Sequence, residues 1–145
     1  MRSLAVFAAA LLFVACDSTE PQVYANASAR EVTLLGLAPG LSGRGIGLQF
    51  QYVGDTPSPC YAYSGYGTST TLQPERDPEV PRRIEVDVDV VDRSEDVCTA
   101  ELGTVETELQ VPVAEAGLYV VAFERPGQAP LERTVRVTLG AAVEE

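Results

Sequence analysis

Apolar and polar residues alternate along much of this chain. Ile46, Leu48, Phe50 and Tyr52 are interleaved with Gly47, Gln49 and Gln51, and Ile84, Val86, Val88 and Val90 with Glu85, Asp87 and Asp89. Val105, Thr107, Leu109 and Val111 alternate with Glu106, Glu108 and Gln110, and Val135, Val137 and Leu139 with Arg136 and Thr138. Successive side chains of an extended strand point to opposite faces, so a period of two marks strands with one buried face. Weaker runs near 30–37, 60–66 and 118–124 bring the count to about seven. No segment carries an apolar stripe at helical spacing, and Gly and Pro punctuate the runs. Short strands at this density predict an all-β, two-sheet antiparallel sandwich over residues 30–140, followed by an acidic tail at 141–145.

The first residues follow a different pattern. MRSLAVFAAALLFVAC holds a single charge, Arg2, then an unbroken apolar stretch from Leu4 to Val14, then small Ala15 before Cys16. A positive start, a short apolar middle and a small residue at the end describe a secretory signal. The stretch is too short to cross a bilayer, which takes roughly 20 apolar residues. Phe13-Val-Ala-Cys16 resembles the lipobox of bacterial lipoproteins, with Phe13 where Leu is commoner. The resemblance covers the first sixteen residues. It implies removal of residues 1–15, a diacylglycerol on the Cys16 sulfur and acylation of the new amino group. Two or three acyl chains hold a protein firmly to a membrane, at about 0.8 kcal/mol per buried CH₂. Residues 16–29, polar and small after the cysteine, are then expected to form a lipidated, flexible tether. Asp17 leaves open which membrane of the envelope is used.

Three cysteines in an exported chain leave one without a partner. If Cys16 carries lipid, Cys60 and Cys98 remain as a disulfide pair in an oxidising compartment, the alternative being two buried free thiols.

Composition narrows the chemistry. The net charge is −11, and removing residues 1–15 takes away one Arg and no acid, giving −12. Such a surface repels nucleic acid and anionic headgroups, so no nucleic-acid partner is expected. The chain has no His, no Lys and no Trp. Without His there is no Ser-His-Asp or Cys-His nucleophile, and without Lys no Schiff base and no P-loop. No zinc ligand set remains either. A carboxylate pair across a cleft is the chemistry left, and a small sandwich seldom offers such a cleft. The expectation is therefore a non-enzyme with no cofactor and no metal.

Glu115-Ala-Gly117-Leu-Tyr119-Val-Val121 resembles the D-x-G-x-Y-x-C motif of immunoglobulin-like domains, with Glu for Asp and Val for Cys. The resemblance implies an immunoglobulin-like or fibronectin-III-like sandwich, with Tyr119 as a tyrosine corner whose hydroxyl bonds back to nearby backbone. It also implies a domain that binds or spaces, with a partner such as another envelope protein or a glycan.

Tyr61, Tyr63 and Tyr66, with Tyr52 in the preceding strand, are the candidate binding surface, because Tyr gives rigid, amphipathic contact area; the same residues equally suit a half-buried pleated sheet. Glu85, Asp87, Asp89, Asp92 and Asp96 line up as possible Ca²⁺ ligands, but lack the Gly and spacing of an EF-hand and spread along a strand. Gly43-Arg-Gly45-Ile-Gly47 precedes a strand, not a helix, and so is no dinucleotide loop. Pro57-Ser-Pro59-Cys60 is a stiffened loop of the kind a small protease inhibitor presents. The sequence thus predicts a membrane-anchored envelope lipoprotein that binds or spaces, with protease inhibition or Ca²⁺-dependent adhesion as alternatives.

Overall fold

The computed structural model describes residues 22–40, 45–71, 80–93 and 98–145. The leader, Cys16, Asp17, Gly43, Arg44, Asp96 and most of the Pro-rich connection after Thr71 lie outside the described residues. Nine strands are found among them: β1 (Tyr24–Asn26), β2 (Ser28–Pro39), β3 (Ile46–Thr56), β4 (Tyr61–Thr70), β5 (Arg82–Asp92), β6 (Gly103–Val113), β7 (Gly117–Phe123), β8 (Leu131–Thr138) and β9 (Ala141–Glu144). Each predicted run coincides in the main with one of the strands β2 to β8. Two sheets result, a smaller one in the order β2-β3-β6 and a larger one in the order β4-β5-β7-β8-β9, with β1 added to β5.

The alternation explains why the sheets stack. Leu48, Phe50 and Tyr52 of β3, Leu109 and Val111 of β6, and Val32 of β2 bury one face of the smaller sheet. Ile84, Val86, Val88 and Val90 of β5, Val121 and Phe123 of β7, and Val135 and Val137 of β8 bury the facing side of the larger one. Phe123 meets Phe50 edge-on with ring centroids 5.2 Å apart, and Tyr52 at 6.2 Å, so aromatic contact joins the sheets at their centre. Among the described residues no helix covers either sheet. That fits strands whose other face is polar.

The larger sheet departs from an all-antiparallel arrangement. β5 and β7 pair in parallel, from Arg82 opposite Tyr119 to Val86 opposite Phe123. β4 runs antiparallel along the whole of β5's other edge. β7 reaches only Val86, and β1 continues the same edge, with Tyr24 opposite Val91 and Asn26 opposite Asp89. In the immunoglobulin arrangement the third strand would lie beside the sixth of the seven long strands; here the fourth, β5, takes that place.

Two expected boundaries move. The tether was expected to extend to Ala29, but the chain joins the larger sheet at Tyr24 and crosses to the smaller sheet at Ala27. That crossing is fully paired: Ala27 N–H donates to Val88 O at 2.8 Å, Ala29 N–H to Glu124 O at 3.1 Å, and Ala27 O accepts from the Tyr52 hydroxyl at 3.3 Å. Ala27 and Ala29 are buried, and burial without unpaired backbone is what turns this polar-looking stretch into structure. The acidic tail is likewise a strand. β9 pairs with β8, and Glu144 and Glu145 meet Arg133 and Arg136. Leu139, expected on the inner face, is 98% exposed. The strand stops at Thr138, and the chain reverses through Gly140 at φ +119°.

Phe123→Ala should remove the central inter-sheet contact and cost about 3–5 kcal/mol of stability. Urea unfolding of the oxidised protein followed by circular dichroism measures it; a cost below about 1 kcal/mol would show that the sheets do not depend on this ring.

Candidate functional site

The best-tied end of the sandwich holds the disulfide. Cys60 is the last residue of the four-residue turn between β3 and β4, Cys98 precedes β6, and their Cα atoms are 6.1 Å apart across 38 residues. The Thr56 hydroxyl donates to Ser58 O at 2.7 Å, Tyr61 N–H donates to the same carbonyl at 3.3 Å, and the Ser58 hydroxyl donates to the Cys98 sulfur at 3.3 Å. The turn rests directly on β6. A Cβ on Gly103 would stand 2.4 Å from Ser58 O and 2.7 Å from Pro59 Cα. Pro57 and Pro59 are exposed at the surface of this turn. A turn this short, folded back on its own strand, presents no extended segment of the kind a protease cleft takes. N–H groups of Asp92 and Arg93 donate to Val23 O and Cys60 O at this same end, so the described chain also enters the domain here.

The tyrosines turn inward. Tyr52, expected on a binding surface, is 1% exposed; its ring lies over Gly54 and its hydroxyl secures the crossing at Ala27. Burial, with Asp55 and Glu124 nearby, pushes its pKa far above the ordinary 10.0. Tyr61, Tyr63 and Tyr66 are half-buried against the core. Tyr61 and Tyr63 share a face by ordinary alternation. Tyr66, three residues on, joins them because a bulge between Tyr63 and Gly65 shifts the register by one residue. Together they close the flank between β4 and β6. The Tyr66 hydroxyl donates to Gln110 O at 2.7 Å and accepts from Gln110 N–H at 3.3 Å. Burial, followed by Tyr66 and Asp89, raises the Tyr63 pKa, against a hydrogen bond with Thr107 that lowers it. These side chains form a seam, not a free contact surface.

Tyr119 sits where the motif implied a corner. Its hydroxyl donates to Glu115 O at 2.7 Å and accepts from Arg82 Nη1 at 3.1 Å, while Arg82 also pairs with the Glu115 carboxylate at 2.6 Å. Three polar groups thus fix the turn that leads into β7.

Glu85, Asp87 and Asp89 lie on the outer face of β5, about 6.6 Å apart along the strand by its rise. Among the described residues no three or more His, Cys, Asp or Glu side chains converge on one point. Opposite them on β4 stand Ser69, Gly67 and Gly65, which raise no wall. An open depression of about 430 Å³ begins here and runs over Glu85, Asp87 and Ala122 to the Glu124–Pro130 connection. Arg125 bounds it, with Nη2 donating to Gln128 at 2.6 Å and a buried Nε without a partner among the described residues. The acids are visible in the sequence but the groove is not, because its walls come from β5, β7 and the Glu124–Pro130 connection, which only the fold brings together.

No family model matches the chain, and comparison with curated proteins and with solved structures returns no similar protein.

Two outcomes follow from this geometry. Gly103→Ala should force the Pro57–Cys60 turn off β6 and destabilise the protein by about 1–3 kcal/mol, read as a lower urea midpoint with the disulfide intact. Tyr52 and Tyr63 hold their protons more tightly folded than unfolded, so their contribution is fully present below the unfolded value near 10 and is lost as pH rises through the folded values. Urea midpoints should therefore be level through neutral pH and fall above about pH 10; an unchanged midpoint at about pH 11 would contradict the burial of these phenols.

Proposed function

We propose that this protein is a lipid-anchored, non-enzymatic binding or spacing module of a bacterial envelope, held to a membrane through Cys16. The observation that carries the reading is the leader ending in Phe13-Val-Ala-Cys16, followed eight residues later by the first strand of a disulfide-closed sandwich. A disulfide is at home in an exported protein. The seven residues from Asp17 to Val23 reach at most about 25 Å when fully extended. The anchor would therefore keep the disulfide end near the bilayer and turn the β6–β7 end, with Tyr119 and Arg82, away from it. The chain's lack of His and Lys supports binding over turnover. The short Pro57–Cys60 turn and the spread-out acids of β5 favour neither protease inhibition nor Ca²⁺-dependent adhesion.

Mass measurement of the native protein should find a chain beginning at Cys16, heavier by its acyl groups and lighter by the two hydrogens of one disulfide. Cys16→Ser should move the protein from the membrane fraction to the soluble one. A native chain that starts at Met1, or an unmodified Cys16, would overturn the anchor.

A further inference from the structure

Besides the three-residue β1, four described strands have an edge with no strand beside it, and three of these are closed to pairing. β6 carries Glu106, Glu108 and Pro112, and the Tyr66 hydroxyl occupies both backbone groups of Gln110. β2 is broken by two register shifts, ends in Pro39, and gives its Val32 carbonyl to Arg133 Nε at 3.0 Å. β9 has four residues, and its acidic end is paired to β8 arginines. These are the usual devices that keep an edge from recruiting another strand. β4, YAYSGYGTST, has ten residues with no charge and no Pro, and its one bulge lies before Gly65. No described strand pairs with its outer edge.

The hydrogen-bond phase shows what that edge offers. Thr71 N–H donates to Arg83 O at 3.2 Å, so the bonded pairs continue through Ser69–Glu85, Gly67–Asp87 and Gly65–Asp89. The alternate residues, Tyr66, Thr68 and Thr70, then turn their N–H and C=O groups outward. A strand added there would run about 10 Å from β5, two strand spacings away. Its outward side chains would cross bare Gly65 and Gly67 towards the acids. The Asp87 carboxylate already leans that way, with Oδ2 2.8 Å from where a Gly67 Cβ would be. The depression starting at Ser69 leaves room for a long side chain to reach Glu85 and Asp87.

We propose that the open edge of β4 takes up an extended peptide by strand addition, and that the peptide is basic, with Arg or Lys on alternate residues lying across Gly65 and Gly67 onto Asp87 and Asp89. Backbone bonds from Tyr66, Thr68 and Thr70 give the affinity, and the acid row on a strongly negative protein gives the selectivity. The inference rests on the binding half of the proposed function and is independent of the lipid anchor.

The test uses the purified native protein in its extracting detergent and three labelled eight-residue peptides: alternating Thr-Arg, Thr-Ser and Thr-Glu. Fluorescence anisotropy should rank Thr-Arg tightest, at least about tenfold above Thr-Glu, with new amide-exchange protection confined to Tyr66, Thr68 and Thr70. Thr68→Pro removes one outward N–H and no bond to β5, and should weaken Thr-Arg binding by about tenfold or more. The paired change Asp87→Asn and Asp89→Asn, at half-buried positions on the outer face of β5 and nearly isosteric, should erase the preference for Thr-Arg over Thr-Ser while leaving Thr-Ser binding unchanged. Binding that survives Thr68→Pro is charge attraction alone and overturns the inference, as does protection elsewhere or self-association through β4 in place of peptide binding. The Cys16 mass is read on the same preparation. Lipidated protein that ignores all three peptides removes the edge proposal only; an edge that binds on protein starting at Met1 removes the anchor only.

Discussion

Hydrogen bonding along both edges of β5 is the constraint from which the rest of the sandwich takes its shape. β4 covers one edge from end to end, and β7 and β1 divide the other between them. Because β7 is parallel to β5 and stops at Val86, the remaining edge groups need a second strand, and the segment before β2 supplies it. The first strand of the fold is thereby split between two sheets at Ala27, a device by which sandwiches turn corners. The buried stripe Ile84, Val86, Val88 and Val90 can then face Phe50, Leu109 and Val111 without unpaired backbone at the centre of the sheet.

Tyrosine does the joining in this molecule. Tyr52 secures the crossing, Tyr66 stitches β4 to β6, and Tyr119 fixes the entry to β7. In each case the ring supplies apolar area and the hydroxyl finds a backbone carbonyl that would otherwise need water. Arg plays the matching role outside. Arg82 braces Tyr119, Arg133 ties β8 to β2, and Arg136 holds the end of the chain. Exposed ion pairs of this kind contribute little stability singly, and their value here is positional.

Alternation made four of the seven long strands legible together with their inner faces, and weaker apolar runs marked the other three. It could not show β1, whose three residues carry no period, nor that Ala27 and Ala29 are core, since small side chains give little apolar signal. It assigned Leu139 inward because a period does not reveal where a strand ends; Gly140 decided that. Strand order and the parallel β5–β7 pairing were beyond its reach, because a pattern of faces says nothing about which edges meet. The tyrosines were visible, but their direction was not: a single bulge before Gly65 moves Tyr66 to the inner face and converts an expected contact surface into a seam. The groove beside Asp87 was hidden for a related reason, since it forms only where the Glu124–Pro130 connection comes to lie beside β5.

The split first strand also governs how the domain would carry load. A pull on the chain ahead of Val23 acts along the axis of β1, whose bonds to β5 lie across that direction. They would be sheared together instead of being peeled one by one. Behind them stand the Tyr52–Ala27 clasp and the twelve residues of β2 against β3. A domain attached by this segment is fastened by the geometry that best resists being unravelled from its point of attachment.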